Sequence, residues 1–438
     1  MKLNPVRLII LIYIAIILLG TLLLSLPVSG DVSLLDAAFT ATSATCVTGL
    51  IVRDTQKDFT IFGRFVILLL IQIGGIGYMT FATLFFILRR KDIPMFQRFM
   101  MKEQWNLLSL SGLRKFIKIV LLTTASFELG GFLILFPRFL KAGYPVHVAA
   151  GHALFHAVSA FCNAGFSSFS TNLNGIKDPL IVFPVAFLFI SGGLGFIFWQ
   201  NVRYRKFFYH SRIVLWTTGM LILFPFLLVL FTEWNAGFSN LSPFYRIEYA
   251  FFTVVTPRTA GFSVIDLKIL NPISQLLLMI LMFVGASPGG TGGGIKTTTA
   301  FILLSFLFTR LRGRDQVNVL GRRIGKETIE RAFTLFLLAL LILSVDTLVL
   351  GITERALIEE RGILPLLFEE FSALGTVGLS LGSSQVPSLS LSHDLTGIGK
   401  FVIMLTMLLG RVGPLSLLAT VGGRKETFTY PEGKVLVG

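Results

Sequence analysis

The sequence predicts an all-α polytopic membrane protein in which four similar units surround one path. Three observations carry this. Of 438 residues, 54% are hydrophobic and only 14% charged, and no polar stretch is long enough to form a soluble domain. Long apolar runs come in pairs, each pair enclosing a shorter, half-polar helix. Each short helix ends in a glycine-centred segment: Val47-Thr48-Gly49-Leu50, Asn163-Ala164-Gly165-Phe166-Ser167, Thr259-Ala260-Gly261-Phe262-Ser263 and Thr376-Val377-Gly378-Leu379-Ser380. Repetition on this scale is architecture. The reading is four span–pore-helix–filter–span repeats with pseudo-fourfold symmetry around one pore.

Repeat 1 occupies residues 1–88. Residues 6–26 form an apolar run long enough to span a bilayer, and too long for a signal peptide. Residues 34–46 are too short to cross, so they enter and return through 47–51. Such re-entrant backbone is tolerated at membrane depth only inside protein or along water. Residues 59–88 are the second span. A basic, amphipathic cytoplasmic linker covers 89–118. Repeat 2 (119–203) has spans at 119–136 and 180–199. Repeat 3 (204–309) has spans at 213–231 and 273–308. After a second linker, 310–331, repeat 4 (332–423) has spans at 332–352 and 398–421. Residues 424–438 are a C-terminal tail.

The net charge of +15 is a topology signal and not a nucleic-acid footprint. Most of the 38 Lys and Arg residues lie in alternate loops: the N-terminus, 89–118, 203–212, 310–331 and the C-terminus. The positive-inside rule makes these cytoplasmic. With eight spans, both termini are inside and the glycine segments face outside. The lipid bilayer of the plasma or inner membrane is the expected surrounding.

The four segments carry the chemistry. Thr376-Val377-Gly378 is close to the backbone signature of potassium-selective filters, where carbonyl oxygens replace the hydration shell of the ion. Glycine serves where the chain leaves ordinary φ/ψ space. The expected ion ligands are Val47, Thr48, Gly49, Asn163, Ala164, Gly165, Thr259, Ala260, Gly261, Thr376, Val377 and Gly378. Pore helices aim their partly negative C-terminal ends at the path, which favours a cation.

The second span of repeat 3 is interrupted at 285–299. Its Gly285, Ser287, Pro288, Gly289, Gly290, Thr291, Gly292, Gly293 and Gly294 cannot sustain helical hydrogen bonding, and Lys296 adds a cation. A phosphate loop is discounted because Ile295 separates Gly294 from Lys296 and no strand precedes it. The expected role is a flexible barrier below the filter. Arg411, inside the last span, is expensive in a membrane. It serves as an electrostatic barrier or holds the loop by hydrogen bonds. Asp346 and Glu128 are intramembrane acids for which pairing and an ion-path role stay open. His152 and His156 share a helix face at i, i+4, but without a third ligand they read as packing or capping groups. Cys46 and Cys162 read as small apolar residues at the foot of pore helices. Arg258 reads as positioning its loop.

These residues resemble the Trk/Ktr/HKT superfamily of cation transporters, and within it the KtrB-type membrane subunits. The matching motifs include Ser43-Ala44-Thr45-Cys46-Val47-Thr48-Gly49-Leu50, Thr256-Pro257-Arg258-Thr259-Ala260-Gly261-Phe262 and Gly410-Arg411-Val412-Gly413-Pro414-Leu415. The resemblance implies a homodimer with one pore per protomer. It implies gating by a cytosolic, nucleotide-binding ring subunit of the KtrA type, with no nucleotide bound by this chain itself. K+ is the implied cargo, with Na+ as an activating or accompanying ion, and the intramembrane loop is the implied gate. In related plant transporters a serine at the first filter glycine accompanies sodium transport; all four positions here are glycine. The resulting expectation is passive potassium uptake rather than an enzyme, the rival being an alternating-access Na+/K+ symporter with a midplane site at the broken helix.

Overall fold

A computed structural model of the chain describes residues 5–77, 80, 98, 113–205 and 208–413. Among these, four helices are long and apolar enough to cross a membrane unbroken: α1 (Pro5–Leu24), α4 (Leu113–Lys141), α8 (Tyr209–Glu233) and α12 (Lys326–Thr353). They are the first spans of the four repeats. Apolar side chains such as Leu18, Leu22, Leu133, Phe224, Leu348 and Ile352 cover their outer faces, as hydrocarbon surroundings require.

Behind each first span stands a short helix with a defined start. The Ser33 hydroxyl caps α2 (Leu34–Thr45) by accepting from Asp36 N at 3.2 Å. The others are α5 (Val146–Phe161), α9 (Pro243–Val255), with proline in its first turn, and α14 (Leu364–Gly375). These four pack against α4, α8, α12 or α1 of their own repeat.

The second spans begin as α3 (Ile61–Ile76), α6 (Pro179–Leu194), α10 (Pro272–Phe283) and α15 (Gly397–Val412). Continuous spans were expected in repeats 1, 2 and 4; in the described residues the helix of each stops at a glycine. Helix α3 stops at Gly77 (φ 82°), α6 at Gly195 (φ 92°) and α15 at Gly413 (φ 94°). Only glycine adopts such backbone without penalty. Beyond Gly195 the chain resumes as α7 (Phe196–Arg203) after a bend of 92°. In repeats 1, 2 and 4 a glycine three residues before the break lies against the carbonyl ending its own pore helix. A Cβ there would meet Thr45 O at 2.1 Å (Gly74), Phe161 O at 2.0 Å (Gly192) and Leu374 O at 2.1 Å (Gly410). The breaks therefore lie at one level, just below the short helices.

In repeat 3 the break widens into residues 284–296, and α11 (Thr297–Leu311) resumes earlier than expected, so Thr297, Thr298 and Thr299 are helical. The following linker holds a two-residue hairpin, β1 (Asn318–Val319) with β2 (Arg322–Arg323), and α13 (Arg355–Arg361) precedes the fourth pore helix. The basic linker 89–118 lies largely, and the tail 424–438 wholly, outside the described residues.

Helix α3 packs on α2 and α5, α6 on α5 and α9, α10 on α14, and α15 on α14 and α2. Each second span thus reaches toward the next repeat, and the order closes on itself. At the outer rim Arg138 makes a two-pronged ion pair with Asp178 at 3.0 Å. The Arg138 guanidinium draws the Asp178 carboxyl below its ordinary value of 3.8, and Asp178 also caps α6. A depressed carboxylate contributes stability that is complete above its ordinary range and lost as pH falls. Asp178→Asn is expected to lower Tm modestly at neutral pH, as exposed pairs do. The gap from the parent should close below about pH 4; a gap that does not vary with pH would refute the assignment.

Candidate functional site: a ring of four glycine loops

Each loop follows its pore helix with one backbone pattern. The residue two before the glycine is left-handed, with φ of 57° at Val47, 59° at Asn163, 68° at Thr259 and 48° at Thr376. The glycines follow at 97° (Gly49), 71° (Gly165), 73° (Gly261) and 89° (Gly378). Left-handed valine and threonine are sterically costly, at about 1–3 kcal/mol each, and four matching instances mark an imposed geometry. Alternating left-handed and ordinary residues lets successive peptide oxygens face one side.

The glycines meet in cyclic order. A Cβ on Gly49 would stand 2.5 Å from Ala164 O and 2.9 Å from Gly165 Cα. On Gly165 it would be 3.0 Å from Gly261 Cα, on Gly261 2.2 Å from Val377 O, and on Gly378 2.2 Å from Thr48 O. The four loops thus close a ring in the order 1-2-3-4, too tight for any side chain at the glycines. Thr48, Asn163, Ala164, Thr259, Ala260, Thr376 and Val377 are fully buried.

Buried carbonyls are nearly always hydrogen-bonded. Here they are not. Among the described residues no hydrogen bond ends on the carbonyl oxygen of Val47, Thr48, Gly49, Asn163, Ala164, Gly165, Thr259, Ala260, Thr376, Val377 or Gly378. Gly261 O receives one, from Asn172 Nδ2 at 3.4 Å. A ring of unpartnered oxygens at the ends of four pore helices has the donor chemistry that suits a dehydrated cation.

The N–H groups, in contrast, are secured by the pore helices. Thr48 N donates to Ser43 O, Ala164 N to Ser159 O and Val377 N to Ser372 O, each at 2.8 Å, and Ala260 N to Thr256 O at 2.9 Å. Gly49 N donates to Ser43 Oγ and Gly378 N to Ser372 Oγ, both at 3.0 Å. The sequence reading did not single out these four hydroxyl residues. Their signal was present: a Ser or Thr recurs five or six positions before each glycine.

The glycine-rich loop lies directly beneath. Thr291 Oγ1 donates to Phe161 O at 3.2 Å and to Asn163 Oδ1 at 2.9 Å, and Gly293 N donates to Thr376 Oγ1 at 3.0 Å. A Cβ on Gly292 would overlap Thr259 Oγ1. The loop therefore touches the glycine-loop residues Asn163, Thr259 and Thr376 of repeats 2, 3 and 4. It is also bonded to α6 and α7, through Ser287 N to Gly193 O and Phe196 N to Gly289 O. Gly285 N closes its base on Ile295 O at 2.8 Å, and Gly294 N reaches Gly410 O at 3.3 Å. Ser287 Oγ bonds Thr297 Oγ1, and Gly290 N returns to Ser287 O past Pro288.

Two cations fasten it. Lys296 Nζ donates to Gly292 O at 2.8 Å. Arg411 donates through Nη1 to Thr291 O and through Nη2 to Gly74 O, bracing the loop of repeat 3 against the second span of repeat 1. Of the two roles expected for Arg411, the hydrogen-bonded one has direct contacts.

The remaining expected residues divide by position. His156 Nε2 lies 3.0 Å from Ser167 Oγ and His152 Nδ1 2.6 Å from Ser168 Oγ, so both histidines fasten the segment that follows the glycine loop of repeat 2. Glu128 accepts from Gln72 at 2.9 Å, and Asp346 from Thr406 at 2.6 Å, which favours pairing within the helix layer. Cys46 and Cys162 are buried free thiols. Arg258 O lies 3.5 Å from Asn163 Nδ2; its buried Nε has no hydrogen-bond partner among the described residues.

This geometry agrees with what known proteins resemble. A family model described as TrkH, cation transport protein, matches residues 6–422. The potassium/sodium uptake protein NtpJ of Enterococcus hirae is 37% identical, over all of this chain and 98% of its own length. The Ktr system potassium uptake protein B of Bacillus subtilis is also 37% identical, over 96% of this chain and 94% of its own. The crystal structure of the potassium transporter TrkH from Vibrio parahaemolyticus superposes with a TM-score of 0.76 at 18% identity, over 96% of this chain and 85% of that one; at this identity the likeness is one of fold. The chain belongs to the TrkH family of cation transport proteins.

Proposed function

We propose that this chain is the pore subunit of a potassium uptake system. The observation that carries the reading is the closed ring of four glycine loops with buried, unpartnered carbonyls. Potassium sheds its water onto these oxygens. An inside-negative membrane potential drives it inward, at roughly 2.3 kcal/mol per charge per 100 mV, with no ATP chemistry in this chain. Residues 285–296, fastened by Lys296 and Arg411, are the gate. The potassium-uptake names of the relatives favour K+ as cargo, and the potassium/sodium name of one supports a sodium dependence. The basic alternate loops support cytoplasmic termini. The word "system" in one relative's name fits a regulatory partner, for which the family likeness gives a KtrA-type nucleotide-binding ring on a homodimer. Rubidium-86 uptake into potassium-loaded proteoliposomes tests the reading. External potassium is expected to block uptake and external sodium to leave it largely intact; equal competition by the two ions would overturn it.

A further inference from the structure

The four pore-helix hydroxyls do not do the same thing. In repeats 1 and 4, Ser43 and Ser372 accept a hydrogen bond from the filter glycine N–H at 3.0 Å. In repeats 2 and 3, the hydroxyl donates instead to the carbonyl one residue beyond the glycine. Ser159 Oγ reaches Phe166 O at 2.6 Å and Thr256 Oγ1 reaches Phe262 O at 2.5 Å. Among the described residues nothing donates to the equivalent carbonyls of Leu50 and Leu379. The split follows the sequence: Gly-Phe-Ser in repeats 2 and 3, Gly-Leu in repeats 1 and 4. Phe166 and Phe262 are buried, and Phe262 stacks near Phe189 and His156, which anchors the turned segment in the core. The Asn172 contact withdraws Gly261 O as well.

A carbonyl bound this closely by a hydroxyl is turned toward the pore helix and shares its negative charge there, so it is a poorer ion ligand. Repeats 4 and 1 are neighbours in the ring, because Gly378 lies against Thr48 and Gly49. We infer that Ser159 and Thr256 are positioning residues that make the outermost filter level one-sided, offering an entering potassium ion the oxygens of Leu50 and Leu379 only. Water supplies the remaining ligands at that level. Dehydration goes further one step deeper, at the glycine level, where the carbonyls of Gly49, Gly165 and Gly378 are unpartnered among the described residues and only Gly261 O is shared, with Asn172. The outer level admits ions without holding them, as conduction requires.

This rests on the filter reading above, and the test separates the two. The purified full chain is assayed for equilibrium binding of rubidium-86, which needs no open gate, with sodium as competitor. Ser159→Ala combined with Thr256→Val releases both carbonyls while keeping the bulk of the threonine. Rubidium binding is expected to tighten at least about threefold, and Thr256→Ser, which restores the hydroxyl, should return half-saturation toward the parent. Ser43→Ala with Ser372→Ala is expected to weaken binding, since it frees N–H groups rather than oxygens. Unchanged or weaker binding in the first double variant, or equal tightening in the second, would overturn the inference and leave the filter standing. If Gly49→Ser keeps the parent's preference for rubidium over sodium, the filter reading itself fails.

Discussion

Replacing Gly49 by serine is expected to collapse the discrimination between potassium and sodium. Gly49 has φ 97°, where an L-residue pays about 1–3 kcal/mol. Its new Cβ would stand 2.5 Å from Ala164 O and 2.9 Å from Gly165 Cα, distances that backbone atoms cannot accept. The ring must open between repeats 1 and 2. A wider ring fits potassium less well and leaves sodium partly hydrated, so the advantage of the larger ion is lost. A loss of about 1.4 kcal/mol in relative binding is a tenfold change in preference, and at least that is expected. The measurement is the ratio of potassium to sodium concentrations that halve rubidium-86 uptake. A serine variant with the parent's ratio would mean that Gly49 lies off the ion path.

Arg411→Gln is expected to raise resting flux at least about tenfold, because charge-assisted hydrogen bonds contribute about 1.5–3 kcal/mol each. The side chain spans from Thr291 O to Gly74 O, so it bridges two repeats that the loop alone does not connect. Lys296, bonded within the loop to Gly292 O, cannot replace that bridge. Arg411→Lys separates the two roles of the residue. A lysine keeps the charge but lacks the fork, so a brace fails and flux rises, whereas an electrostatic barrier survives and flux stays low. The contacts favour the brace. Resting flux unchanged in both variants would remove Arg411 from the gate.

Much of the fold was legible because membrane segments announce themselves by length and hydrophobicity. The first spans and all four pore helices were placed from the apolar runs and the glycines after them. The breaks in repeats 1, 2 and 4 were not, because a single Gly77, Gly195 or Gly413 within an apolar run differs little from a packing glycine. What distinguishes them is φ near 90° and the contact three residues earlier with a pore-helix carbonyl, neither of which is a property of composition. The break in repeat 3 was legible because it spends many glycines and a proline at one place. The twelve positions expected to form a filter follow from alignment of the repeats, and the structure gathers the four loops that carry them into one ring. Ser43, Ser159, Thr256 and Ser372 were missed, since a hydroxyl in a half-polar helix is unremarkable until its partner is known. Thr256 is also one position closer to its glycine than the three serines, which blurs the repeat.

The most direct test of a single four-loop potassium path uses a variant lacking residues 289–294, reconstituted in potassium-loaded proteoliposomes. Removing the loop takes away its bonds to Asn163, Thr376 and Arg411 but none of the filter carbonyls. Rubidium-86 uptake should rise above that of the parent, with external potassium blocking it far better than sodium. Uptake that stays silent, or that potassium and sodium suppress equally, would contradict the account.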